Sequence, residues 1–141
     1  MVTPLNINVR SFSYKREIPK DSSGNGGGFV FDCRGILNPG RFDQYKTLTG
    51  RDQEVITFLE EKTKAPVFLE GVKKVISISI EDYIDRNFNN LEINFGCTGG
   101  QHRSVYCADQ IAMYIKTHYP SVQVNVQHIV QEEKNWINLP Y

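Results

Sequence analysis

The chain has 141 residues, with 16 Lys+Arg against 16 Asp+Glu and a formal net charge of zero; that is one domain's worth of sequence, enough for a real core. The neutral balance argues against a whole-surface footprint for nucleic acid and leaves only local patches such as Lys15-Arg16 and Lys73-Lys74. With 40% hydrophobic residues and only 6 prolines the composition is globular, not disordered.

No apolar run approaches the ~18 residues of a membrane span. Met1 to Arg10 lacks a basic stretch followed by an apolar one, so the cytosol is the expected compartment. Cys33, Cys97 and Cys107 are odd in number and lack C-x-x-C spacing, which disfavours a disulfide framework and a zinc site. No metal or cofactor is expected.

Residues 5–15 alternate, with Leu5, Ile7 and Val9 on one face and Phe12 and Tyr14 after a phase slip, and predict a strand. Lys20 to Gly28 reads as a glycine- and serine-rich loop, a mobile connector or lid, without the G-K-[ST] of a nucleotide P-loop. Phe29-Val30-Phe31-Asp32 reads as a short buried parallel strand with polar residues at its carboxyl end, where ligands bind in open α/β sheets. Asn38-Pro39-Gly40 makes a turn. Thr49-Gly50-Arg51-Asp52 has the T-x-x-D form of a capping box ahead of a helix over about 51–62.

Pro66 suits a first helical position, and Phe68, Leu69, Val72, Ile76, Ile80, Tyr83 and Ile84 recur at helical spacing to Asn87. Val75 to Ile80 also alternates as a strand would, but its flanks keep the 3.6 period, so a long helix is expected. After Asn89-Asn90, Leu91 to Phe95 predicts the central strand. Val105, Ala108, Ile111, Ala112 and Ile115 mark the buried face of a helix over 104–119, closed by Pro120. Val122, Val124, Val126 and His128 alternate as a final strand, and Glu132-Glu133-Lys134 follows as a short polar end. The order β, β, α, α, β, α, β over residues 1–141 predicts a single small α/β domain with a mostly parallel sheet.

The stretch from Phe95 to Tyr106 is the chemical centre of the chain. A strand that stops at Gly96 and a helix that starts near Ser104 make a strand-loop-helix turn, which aims unpaired N–H groups and the positive end of the helix dipole at one point. Gly99 and Gly100 allow close backbone approach, Arg103 offers a fork of donors matched to two phosphate oxygens, and Thr98, Gln101, His102 and Ser104 add further polar groups. A plain turn needs none of these donors, so an anion site is expected here.

Cys97 to Arg103 also spells C-x5-R, the spacing of cysteine-dependent phosphatases. In that reading Cys97 is the nucleophile, Arg103 holds the phosphoryl oxygens and Asp32 is the candidate general acid. In the other, Cys97 is a small buried residue at a strand end. Asp32 has two readings as well: partner to an ammonium on the ligand, or a carboxylate that orients an arginine.

Taken together, Ser11-Phe12-Ser13-Tyr14-Lys15, Phe29-Val30-Phe31-Asp32-Cys33-Arg34, Leu37-Asn38-Pro39, Leu48-Thr49-Gly50-Arg51-Asp52, Phe58-Leu59 and above all Gly96-Cys97-Thr98-Gly99-Gly100-Gln101-His102-Arg103-Ser104-Val105-Tyr106 resemble the C-terminal domain of the RapZ (YvcJ) family. The resemblance spans nearly the whole chain. It implies an α/β domain that senses a phosphorylated amino sugar, glucosamine 6-phosphate, and that in full-length bacterial members binds small RNA and adapts it to a ribonuclease. Carried over by motif, the phosphate loop is Cys97 to Ser104, and Asp32 and Arg34 line the same pocket. His128 matches the histidine of the family's basic C-terminal stretch, while Ile129 replaces the arginine and Glu132-Glu133 follow. Gly40 stands where the family has an aromatic residue or histidine. The sequence carries no Walker-type loop and is read as a stand-alone domain. Its expected partner is a phosphorylated small molecule; an RNA or protein partner and an oligomeric assembly are compatible with the resemblance.

Overall fold

A computed structural model describes residues 4–140. Residues 1–3, at the head of the stretch Met1 to Arg10 in which no leader pattern is expected, lie outside that range. Four strands, β1 (Asn6–Ser13), β2 (Phe29–Asp32), β3 (Asn90–Cys97) and β4 (Gln123–His128), form one sheet in the order β2-β3-β1-β4. All three pairings are parallel, so the four carboxyl ends share one edge. The helices are α1 (Gln53–Lys62), α2 (Ala65–Asp85), α3 (Arg103–His118) and α4 (Ile129–Glu133). Among the described residues no helix is long and apolar enough to cross a membrane.

The strand order decides where everything else lies. From β2 to β3, and from β3 over β1 to β4, the chain advances in the same direction across the sheet, so right-handed crossovers put α1, α2 and α3 on one face. There Ile7, Val9, Leu91, Ile93 and Phe95 pack against Leu59, Ile76, Ile80, Ile111 and Ile115 in the buried core. The link from β1 to β2 runs the opposite way and must cross the other face. It does so as the loop of residues 14–28, whose glycine-rich part packs beside Glu92 and Asn94. The expected connector is therefore present, but it lies along the sheet rather than as a lid over the carboxyl ends. On this second face Asn8 donates to the Asn90 and Glu92 side chains, and Arg10 pairs with Glu92.

The stretch Val75 to Ile80 is helical, as its flanks require. Ile76 and Ile80, four residues apart, are wholly buried, while Val75 and Ile78 face outward. The capping motif is only half formed: Asp52 accepts from the Thr49 N–H (2.7 Å), but Thr49 Oγ1 accepts from Arg51, and α1 begins at Gln53. One expectation is corrected. β2 is the edge of the sheet, not a buried strand, with Val30 42% exposed and Phe29 and Phe31 only partly covered. A run of three apolar residues cannot distinguish an edge from a centre, since both bury one face.

Candidate functional site

β1 and β3 are neighbours whose outgoing connections leave for opposite faces of the sheet. That is a topological switch point, where the diverging chains leave a crevice at the carboxyl edge. A cavity of about 470 Å³ opens there, bounded by Ser13 from the end of β1 and Cys97 from the end of β3.

Its floor is the loop from Cys97 to His102. Gly100 takes φ +66°, and a Cβ there would stand 2.7 Å from Val130 Cγ2 on α4, so neither the conformation nor the space admits another residue easily. Gly99 faces open space. The Gly100 N–H donates to Cys97 Sγ (3.3 Å), which also lies 3.1 Å from Ser104 Oγ. Ser13 Oγ donates to the Thr98 carbonyl (2.6 Å) and ties the loop to β1. α3 starts directly after it with no side chain capping its first turn, so the positive end of the helix dipole adjoins the cavity.

Several donors assigned to a ligand from sequence are engaged by the protein itself. Gln101 Nε2 donates to the carbonyls of Lys46 (2.7 Å) and Leu48 (2.8 Å). His102 contacts the Tyr45 carbonyl through Nε2 at 2.8 Å, which puts the proton on that nitrogen, and burial holds its imidazole below the usual histidine pKa. Arg103 is 5% exposed. Its Nη1 donates to the carbonyls of Arg34 (3.0 Å) and Ile36 (2.8 Å), Nη2 reaches only Thr98 Oγ1 at 3.5 Å, and Nε is buried without a partner. These bonds fasten residues 34–36 and 45–48 around the loop, and the short 3-10 turn Pro39–Arg41 between them brings Gly40 and Arg41 to the cavity.

The cavity wall is cationic. Lys15, Arg16, Arg41, Arg103 and Lys134 line it, and no carboxylate does. Lys15 and Arg41 make no ion pair among the described residues, whereas Arg16 pairs with Glu133.

Asp32 and His128 stand outside this cavity. Asp32 accepts from the backbone N–H, Nε and Nη2 of Arg34 at 2.7–3.1 Å, and Arg34 holds its carboxyl below the usual range. The Arg34 guanidinium lies 3.9 Å from the centre of the Tyr14 ring. This is the geometry of a carboxylate orienting an arginine. His128 is buried between Ser11 Oγ (2.6 Å) and Asp109 (2.8 Å), and Asp109 also accepts from Arg51 (2.8 Å). Burial alone would raise the Asp109 pKa, yet the His128 and Arg51 hydrogen bonds outweigh it and leave the carboxyl below its ordinary value. The network joins β1, α3, β4 and the segment before α1. Among the described residues no cluster is arranged to hold a metal.

A family model described as the RapZ C-terminal domain matches residues 5–132. The chain belongs to that family. Among its relatives, a nucleotide-binding protein of Nitrosomonas europaea is 39% identical over 124 residues, which cover 88% of this chain and 40% of that protein. Another from Endomicrobium trichonymphae is 35% identical over 129 residues, 92% of this chain and 43% of that protein. A third, from Bacillus licheniformis, is 38% identical over 113 residues, 80% of this chain and 37% of that protein. The chain thus spans about two fifths of the length of these relatives.

In this RapZ C-terminal domain the cavity residues that sequence reasoning did not assign to the site are Ser13, Lys15, Arg16, Asn38, Gly40, Arg41, Val130 and Lys134. For Ser13 and for the nearby Lys15 and Arg16 a signal existed: they end or directly follow a strand of a parallel sheet, at the edge where ligands bind. Arg41 and Lys134 carried none, because only the fold brings residues from either end of the chain to one loop.

Proposed function

We propose that this domain binds a phosphorylated sugar, with the phosphoryl group on the loop of residues 97–104. One observation carries the reading: a cavity at the switch point has five cationic side chains and no carboxylate in its wall. Its volume suits a hexose phosphate. Each charge-assisted contact to a phosphoryl oxygen contributes about 1.5–3 kcal/mol. Glucosamine 6-phosphate is the sugar that the RapZ resemblance implies. Because Asp32 is engaged with Arg34 and no acid lines the cavity, the phosphate rather than the amine dominates recognition. In this reading the domain is a metabolite sensor, and an RNA backbone would compete with the sugar phosphate for the same cations.

Calorimetric titration with glucosamine 6-phosphate, glucose 6-phosphate and glucosamine tests it. Both phosphosugars are expected to bind and glucosamine is not, and Arg41→Ala is expected to weaken the phosphosugars by one to two decades, at ~1.4 kcal/mol per decade. Failure of a folded wild-type protein to bind either phosphosugar would overturn the reading.

A further inference from the structure

A second cavity, of about 700 Å³, adjoins the first and shares Asn38, Arg41 and Arg103 with it. Arg34, Lys62 and Lys64 add to its wall, against the single carboxylate of Glu61. Arg34 engages Nε and Nη2 with Asp32 and leaves Nη1 over. The side chains of Arg41, Lys62 and Lys64 make no hydrogen bond or ion pair among the described residues.

In a chain whose net charge is zero, gathering unpaired cations on one crevice raises mutual repulsion that an anionic occupant relieves. The wall common to the two cavities includes a further cation, Arg103. Arg103 is 95% buried and its Nε has no acceptor within the protein, which leaves the charge of its guanidinium only partly compensated by the Arg34 and Ile36 carbonyls.

We infer that the cavity lined by Arg34, Lys62 and Lys64 is a second anion subsite, and that the ligand class is a sugar carrying two phosphoryl groups, one on each side of the Arg41–Arg103 ridge. The inference rests on the phosphosugar reading above and extends it. The first phosphoryl sits against Gly99 and the start of α3. The second meets the junction between α1 and α2, where Lys64 precedes α2 with its side chain uncommitted. Joining the two groups in one molecule makes the second contact intramolecular, so the affinity gain exceeds that of two separate monoanions.

The test compares glucose 6-phosphate with glucose 1,6-bisphosphate by calorimetry, on the wild-type chain and on the double variant Lys62→Ala/Lys64→Ala. Both lysines are exposed, so the variant is expected to fold, with its melting curve as the check. The wild type is expected to prefer the bisphosphate by about tenfold or more, ~1.4 kcal/mol. The double variant should lose most of that preference and bind the monophosphate as before. Equal affinities in the wild type, or a preference that survives in the double variant, would overturn the second subsite while leaving the first intact. If neither sugar binds, the phosphosugar reading falls and this inference falls with it.

Discussion

Arg103 donates to the carbonyl oxygen of Ile36 at 2.8 Å from inside the protein, and the same nitrogen reaches the Arg34 carbonyl at 3.0 Å. The residue that looks most like a free phosphate clamp is therefore also the pin that holds the segment after β2. Arg103→Ala leaves two carbonyls without their donor, at about 1–3 kcal/mol each. It is expected to lower stability by roughly 2–4 kcal/mol in urea unfolding as well as to weaken phosphosugar binding. Arg41→Ala, at an exposed and unpaired side chain, should weaken binding with a stability change within about 0.5 kcal/mol. An Arg103→Ala variant as stable as the wild type would show that the two carbonyl bonds contribute nothing.

The adjacent glycines separate folding from binding. Gly100→Ala forces a side chain into the left-handed region and against Val130, a backbone cost of roughly 1–2 kcal/mol before the clash is added. Gly99→Ala meets nothing within 4 Å, so its melting temperature should match the wild type, yet its methyl group stands on the cavity floor and should weaken phosphosugar affinity. Equal melting temperatures for the two variants would contradict this assignment.

Cys97 Sγ sits between the Gly100 N–H and Ser104 Oγ, a place that a serine hydroxyl fills with similar geometry. Cys97→Ser is expected to keep phosphosugar affinity within about threefold, under 1 kcal/mol. With no carboxylate in the cavity wall to protonate a leaving alkoxide, release of phosphate from aryl or sugar phosphates should stay at background. Multiple turnovers by the wild type, abolished in Cys97→Ser, would instead establish a cysteine phosphatase.

His102 gives a pH signature. Burial lowers its pKa in the folded protein, while the unfolded chain titrates near ~6.5. Below that value the unfolded state binds more protons than the folded one, so stability falls as the pH drops from about 6.5 towards the lowered folded pKa. Above the unfolded value the contribution is fully present. His102→Gln keeps a donor for the Tyr45 carbonyl and removes the titration, so urea midpoints of this variant should be flatter than those of the wild type between about pH 5 and 7. Asp32 and Asp109, whose carboxyls are also lowered, act in a separate window: their contribution is present above the unfolded value near ~3.9 and is lost as the pH falls through their folded values. A wild-type midpoint independent of pH across the higher window would refute the histidine assignment.

How much of this was legible in the sequence follows from the range of the interactions involved. The helical period of Val105, Ala108, Ile111 and Ile115, the strand ending at Gly96 and the two glycines of the loop are local patterns, and each element came out where its period placed it. The loop's polar string, more donors than a tight strand-to-helix turn needs, also marked a stretch that lines the cavity at the carboxyl edge. Its partners were not legible. Whether Gln101, His102 and Arg103 face a ligand or the carbonyls of residues 34–48 depends on what packs beside them, and in sequence both look like donors at the start of a helix. His128 likewise matched a motif position, yet it lies among Ser11, Asp109 and Trp136 because β4 pairs with β1. The order β2-β3-β1-β4 decided the rest. It puts the carboxyl ends of β1 and β3 side by side with their connections diverging, which opens the crevice and gathers Lys15, Arg41 and Lys134 onto it. Local periodicity carries no term for strand order; that comes from the handedness of crossovers and from burial of one face of the whole sheet, and both act only once distant segments have met.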